Sequence, residues 1–283
     1  MRRQFKTTDG ITLSYAIDDF SDPWRKTETL LMLHSAMGSA NRFYAMVPAL
    51  ARHYRVVRLD LRGHGESEVP PATSALTMDR LVEDVHELIS ELGVDAVHLL
   101  GNSAGGFVGQ HLTFKYPELV KSLMLFGSST GLKGTNATSW LPRVAREGLR
   151  PFIEDTIAYR FNLETTDPGL VEWFLDEIEK NDTEFVGRFI TLMTQVDSTD
   201  RLSSIRCPTL LVIPGAEAES GIRNYEPMKT LIPRVEVRYS KGAAHNMMDS
   251  DPAKCAEEVL RFLSKSLFMH LDASKNLPES ASF

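Results

Sequence analysis

The sequence predicts an α/β protein: a mostly parallel central sheet, helices on both faces, and a helical insertion set into one connection. Three observations carry that reading. Short apolar runs, such as the continuous residues 29–33 and the largely apolar 96–100, alternate with segments of helical spacing. Strands buried on both faces read as unbroken apolar stretches of this kind. The alternation stops after Phe126, yields only helical patterns over residues 131–204, and resumes at Thr209. Finally, 283 residues with 42% hydrophobic and 24% charged content suit one large globular unit and no disordered or collagen-like chain.

Residues 4–8 and 11–18 flank Asp9-Gly10, a pair that closes hairpins because glycine accepts positive φ. Residues 29–33 form the first buried strand. Residues 41–50 follow with Phe43, Val47 and Leu50 on one helical side, and 56–59 make the next strand. A long helix is expected over 77–92, where Leu81, Val85, Leu88 and Leu92 repeat at three and four residues and Gly93 stops the run. The strand at 96–100 turns at once into a helix over 105–116 ended by Pro117, and 120–126 is a further strand. Helices are expected at 141–159, 169–180 and 183–195, then a strand at 209–213, a helix at 224–231, a strand at 235–239 and a helix at 252–264. The expected organisation is therefore a core of residues 1–130 and 205–265, a helical cap (lid) of 131–204, and a weakly ordered tail of 266–283.

Lys plus Arg number 31 against 38 Asp plus Glu, a net charge of −7, which argues against nucleic acid or an anionic membrane as partner. Cys207 and Cys255 make neither a disulfide framework nor a C-x-x-C zinc pair. Arg2 and Arg3 are followed by no apolar segment of the kind a secretory leader needs, and no run is long enough to span a bilayer. These features lead us to expect a cytoplasmic monomer or homodimer that acts on a small molecule and uses no metal.

Ligands of open parallel sheets bind beyond the carboxyl ends of the strands. The polar residues delivered to that edge are His34-Ser35, Asp60, Ser103, Ser128, Glu217 and His245. The sharpest signal is Gly101-Asn102-Ser103-Ala104-Gly105-Gly106, a G-x-S-x-G between an apolar strand and a helix. In that setting the serine occupies a strained turn, small neighbours avoid backbone clashes, and the helix N-terminus aims N–H groups at developing negative charge. A dinucleotide loop would need glycine at position 103, and a phosphate loop would need Lys-Ser or Lys-Thr where Phe107-Val108 stand.

A serine nucleophile needs a base. Among eight histidines, His98 lies in a strand, His86 and His111 in helices, His53 on the wrong edge and His270 in the tail. His245, after Gly242-Ala243-Ala244 in the loop leaving the last strand, is the expected base. Asp60 and Arg62 read as loop braces, and Trp140, Trp173, Phe161 and Met193 as cap core. Arg143, Arg146, Arg150, Arg160 and Arg188 include candidates for a carboxylate clamp.

Over residues 6–264 the chain resembles the α/β-hydrolase fold family. The resemblance rests on His34-Ser35-Ala36-Met37-Gly38, Asp60-x-Arg62-Gly63-His64-Gly65-x-Ser67, the turn at Ser103, Cys207-Pro208-Thr209-Leu210 and His245. Spacing and cap are most similar to the 3-oxoadipate enol-lactonase and esterase branch. The resemblance implies an oxyanion hole from the backbone N–H groups of Ala36 and Ala104, although Ser35 stands where the family commonly has glycine. It also implies an acid after strand 209–213. Counting from Pro208 places it at Glu217, and Glu219 is the alternative. His34, Ser35, Asn102 and Arg160 are expected to touch substrate.

The expected function is a cofactor-free serine hydrolase that cleaves a small carboxylic ester or lactone through an acyl-enzyme, with Ser103, His245 and Glu217 catalytic. Alternatives are hydrolysis of an amide or C–C bond by the same residues, a cofactor-independent dioxygenase or lyase, and a ligand-binding receptor on a hydrolase scaffold.

Overall fold

The computed structural model describes residues 1–220 and 223–275. Eight strands form one sheet: β1 (Arg2–Lys6), β2 (Thr12–Asp18), β3 (Thr29–Leu33), β4 (Arg55–Leu59), β5 (Val97–Asn102), β6 (Val120–Phe126), β7 (Thr209–Pro214) and β8 (Val235–Ser240), in the order β1-β2-β4-β3-β5-β6-β7-β8. β1 and β2 are antiparallel, as are β2 and β4; every pairing from β4 through β8 is parallel. The hairpin turns where expected, with Gly10 at φ 91°. β3 and β5, at the centre, are buried along their whole length, which accounts for their mostly apolar sequence; the polar His98 of β5 is bonded to Ser122 and Glu28.

The helices are α1 (Val47–Leu50), α2 (Met78–Glu91), α3 (Ala104–Lys115), α4 (Leu141–Glu147), α5 (Leu149–Glu154), α6 (Pro168–Glu179), α7 (Thr183–Met193), α8 (Gly215–Ser220), α9 (Glu226–Leu231), α10 (Met247–Ser250) and α11 (Pro252–Lys275). α2 buries Leu81, Val85 and Leu88, and the Thr77 side chain caps it by accepting from Arg80 N–H. α2 and α3 pack on one face of the sheet; α1, α10 and α11 pack on the other, where Met247, Val259 and Leu263 meet Leu30, Met124 and Leu210.

Four expectations need correction. The helix expected at 41–50 is a 3-10 turn, Ala40–Phe43, and a separate short α1, because Pro48 supplies no N–H to continue one ladder. The helix expected over 141–159 breaks at Gly148, φ 85°, into α4 and α5, followed by a 3-10 turn at Ile157–Tyr159. The short α8 and α10 were not expected. The expected tail is helical at its start, since α11 continues to Lys275; positions 276–283 lie outside the described residues.

Residues 131–204 contribute no strand. Their helices enclose a core of their own in which Val144, Ile153, Phe161, Phe174, Ile178 and Ile190 are buried. This unit sits over the carboxyl edge. Asn181 Nδ2 donates to the Met37 carbonyl at 3.1 Å, and Phe185 lies where a Cβ on Gly63 would fall 2.2 Å from its ring.

Candidate active site

Ser103 joins β5 to α3 with φ 50° and ψ −115°, a backbone conformation natural to glycine and strained for serine. The main chain around it leaves no room for relaxation. Ser103 N–H donates to the Phe126 carbonyl at 3.0 Å, and Ser128 Oγ donates to the Ser103 carbonyl at 2.8 Å. A Cβ on Gly101 would fall 2.4 Å from Gly106 Cα, and one on Gly105 would fall 2.2 Å from the Leu33 carbonyl oxygen. Both glycines are therefore required by backbone contact, as the G-x-S-x-G reading anticipates. The same closeness sets the loop after β3 on the N-terminus of α3. Ala104, the first residue of α3, has an N–H with no intrahelical acceptor. Ala36 lies in the turn that Gly38 N–H closes on the Ser35 carbonyl, with Met37 at φ 59°.

His245 follows β8 and brings its ring against the backbone that leaves β6. A Cβ on Gly127, the residue after β6, would lie 3.3 Å from His245 Nδ1. His245 Nδ1 is 2.6 Å from Glu217 Oε1, and Glu217 is held on α8 directly beyond β7. Glu217 is buried, whereas Glu219 on the same helix is exposed. Of the two acids the residue count left open, the structure brings only Glu217 to the histidine. Burial alone would raise the Glu217 carboxyl. The opposing charge and hydrogen bond of His245, then Arg223 and Tyr225, outweigh it and hold the group at about 2. Burial lowers His245, Glu217 pulls it up, and Arg223 and Arg160 push it down; the balance is a lowered value and a neutral imidazole.

Three of the expected substrate contacts have polar partners within the protein. His34 is fully enclosed, with Nδ1 2.7 Å from the Ser35 carbonyl and Nε2 accepting from Leu61 N–H at 2.9 Å. Burial drives its pKa to about 4, so it ties two loops together as a neutral ring. Ser35 is buried and its hydroxyl accepts from Arg42 at 3.3 Å. Asn102 belongs to β5, and its Nδ2 donates to the Phe126 carbonyl at 3.1 Å, lacing β5 to β6. Asp60 and Arg62 are braces as expected. Asp60 accepts from Ala40 N–H at 2.6 Å, and Arg62 pairs with Asp9 and Asp84.

The cap arginines sort themselves by partner. Arg143 and Arg146 pair with Glu147, Arg150 with Glu154 and Asp176, and Arg188 donates to the Pro71 and Ser74 carbonyls. Arg160 has no carboxylate partner among the described residues; its Nη1 donates only to Thr156. Desolvation, then Arg42 and Arg223, push it down to about 10. It also borders the histidine loop, because the carbonyls of Tyr159 and Arg160 accept from the N–H groups of His245 and Asn246 at 3.3 and 3.0 Å.

Sequence reasoning missed Arg223 and Tyr225. Tyr225 Oη donates to Glu217 Oε2 at 2.5 Å, and Arg223 Nε lies 3.3 Å from Oε1. It also missed the buried Arg42–Asp249 pair and the cap carbonyls that fix the histidine loop. No spacing rule signals any of these. A groove of about 770 Å³ between the cap and the 74–76 loop, lined by Leu141, Val144, Arg188 and Leu192 among others, contains none of the Ser103, His245 or Glu217 side chains.

The profile of the α/β-hydrolase fold family matches residues 28–208, and the chain belongs to that family. Fold and family define the class as an α/β-hydrolase enzyme. Among similar proteins, a 2-hydroxy-6-oxononadienedioate/2-hydroxy-6-oxononatrienedioate hydrolase of Klebsiella pneumoniae is 29% identical over 228 residues, 72% of this chain and 74% of that protein. An esterase of Thermogutta terrifontis, solved with malate bound, superposes with a TM-score of 0.81 at 26% identity, covering 94% of this chain and 99% of the other. The enol-lactonase of Burkholderia xenovorans shares the fold with a TM-score of 0.83 at 19% identity, over 93% and 100% of the two chains. No helix among the described residues is long and apolar enough to cross a membrane.

Proposed function

We propose that this hydrolase cleaves a small carboxylic ester or lactone through an acyl-enzyme on Ser103. The observation that carries the reading is the 2.6 Å contact between His245 Nδ1 and Glu217 Oε1 behind a serine held on a strained turn. Ser103 Oγ bonds to the acyl carbon while His245 Nε2 takes its proton, and Glu217 stabilises the imidazolium without itself being protonated. The carbonyl oxygen, now an oxyanion, is received by the N–H groups of Ala36 and Ala104. Collapse breaks the bond to the leaving oxygen, which takes the proton from His245; in a lactone that oxygen stays tethered to the acyl group. Water, deprotonated by His245, then hydrolyses the acyl-enzyme.

Arg160 gives the substrate a sign. A half-buried guanidinium with no carboxylate partner among the described residues, close to the base, favours a carboxylate on the acyl part. The malate held by the esterase relative and the dioate in the hydrolase relative's name are both dicarboxylates, which supports this. That second name also keeps another reaction open: its substrate contains no ester, so hydrolysis there breaks a carbon–carbon bond, and the residues here suit that chemistry too.

The test is turnover of a panel of p-nitrophenyl esters and small lactones, with intact-protein mass spectrometry, beside Ser103→Ala. Hydrolysis and an acyl adduct that both vanish in the variant are expected. Turnover that survives Ser103→Ala overturns the proposal.

A further inference from the structure

Glu217 has more partners than orienting one histidine requires. Oε1 is shared between His245 Nδ1 at 2.6 Å and Arg223 Nε at 3.3 Å, while Oε2 accepts from the Tyr225 hydroxyl at 2.5 Å. Tyr225 is 5% exposed, so its hydroxyl is withdrawn from water and committed to the carboxylate. The Arg223 side chain is 15% exposed, and its Nη1 is buried without a hydrogen-bond partner among the described residues. Among the described residues, the ion pair that Arg223 makes is the one with Glu217. The charged and titratable groups facing the pair, among the described residues, are Arg223 and Tyr225 from the segment before α9 and Arg160 from the cap. Arg42 lies beyond Arg160 and is paired with Asp249.

We propose that Arg223 and Tyr225 are positioning residues that weaken the proton affinity of the His245–Glu217 pair, keeping His245 a free base in mildly acidic solution. This rests on His245 being the base for Ser103. A carboxylate stabilises an imidazolium through the negative charge on the oxygen facing it. A phenol hydroxyl on one oxygen and a guanidinium on the other both draw on that charge, and the guanidinium also repels the imidazolium directly. The lowered His245, with Arg223 among its causes, agrees in direction. A glutamate bound only to histidine would instead hold the ring protonated to higher pH, where it accepts no proton from serine.

The experiment is the pH dependence of Ser103 phosphonylation by a fluorophosphonate, followed by intact-protein mass spectrometry. It reads the titration of the base without a known substrate. Wild type, Arg223→Gln, Arg223→Lys, Tyr225→Phe and Ser103→Ala are compared. Arg223→Gln is expected to move the acid limb upward by about one pH unit, Tyr225→Phe by a few tenths of a unit, and Arg223→Lys to restore most of the shift. An acid limb that stays in place in Arg223→Gln and Tyr225→Phe, whatever rate is lost, overturns the proposal and leaves the two residues a packing role. Should Arg223→Gln fail to fold, the limb of Tyr225→Phe decides alone. Failure of the underlying reading looks different: no labelling of wild type, or equal labelling of Ser103→Ala, removes the base assignment and this proposal with it.

Discussion

Ser103→Gly should make the protein more stable than Ser103→Ala while both variants are inactive. Among the described residues only Ser103 and Met37 have positive φ without being glycine. A residue held in so sparse a region costs roughly 1–3 kcal/mol. Alanine keeps the Cβ and therefore the strain; glycine removes both, at the expense of about 0.4–1 kcal/mol from a more flexible unfolded chain. The bonds that hold the turn, Ser103 N–H to the Phe126 carbonyl and Ser128 Oγ to the Ser103 carbonyl, are made by the main chain of residue 103 and survive either change. The net difference is roughly 0.5–2 kcal/mol in favour of glycine. With an unfolding entropy of about 2.1 cal/mol/K per residue, a chain of this length gains about 2 °C in Tm per kcal/mol. Thermal unfolding by circular dichroism of the two variants should therefore differ by about 1–4 °C. A Ser103→Gly variant no more stable than Ser103→Ala would show that the turn stores no strain, and the argument from positive φ would fall.

The remaining predictions are independent of that one. Glu217→Gln should lower kcat by about 10²–10⁴-fold, and exposed Glu219→Gln should stay within about twofold; steady-state rates with the best ester of the panel decide, and the reverse order refutes the assignment. Arg160→Met should erase a preference for esters carrying a distal carboxylate, raising KM for them about tenfold or more and sparing neutral esters of equal length. Equal losses on both substrates would remove the carboxylate contact. Stability should fall in acid because His34 and His64 are buried with pKa values of about 4 and about 3, below the unfolded 6.5. Their contribution is whole above pH 6.5 and is lost as pH falls toward those values. His34 alone accounts for about 2 kcal/mol between pH 7 and pH 5. Urea unfolding of His34→Gln should show a pH 7-to-5 loss smaller than wild type by about that amount, and an identical loss would refute it.

Ser103 was readable from the sequence because everything the turn demands is local: a small residue two before, another two after, an apolar strand behind and a helix ahead. His245 stands out in the sequence because it follows Gly242-Ala243-Ala244 in the loop leaving the last strand, although strand order delivers His34 to the same edge. Burial on both faces writes a strand as a largely apolar run, so β3, β5 and β6 were legible to within two residues despite His98 and Lys121. The helix breaks at Pro48 and Gly148 were less so, since one proline or glycine is compatible with a continuous helix until packing chooses.

What the side chains touch was decided only by the folded chain. His34, Ser35 and Asn102 stand next to the nucleophile in sequence or at the same edge, yet the His34 ring, the Ser35 hydroxyl and Asn102 Nδ2 are engaged by backbone or by Arg42. Strand order places a residue at an edge without saying which way its side chain turns. Five cap arginines looked alike until three found carboxylates, Arg188 found loop carbonyls, and Arg160 reached only Thr156 among the described residues. Residue counting left Glu217 and Glu219 open because a proline ends the strand before them; burial against His245 separates them. Arg223 and Tyr225 meet Glu217 through the reversal of the chain between β7 and α9. Local sequence sets backbone geometry through sterics within a few residues, whereas the partners of a charge depend on which distant segments the sheet and cap bring against it.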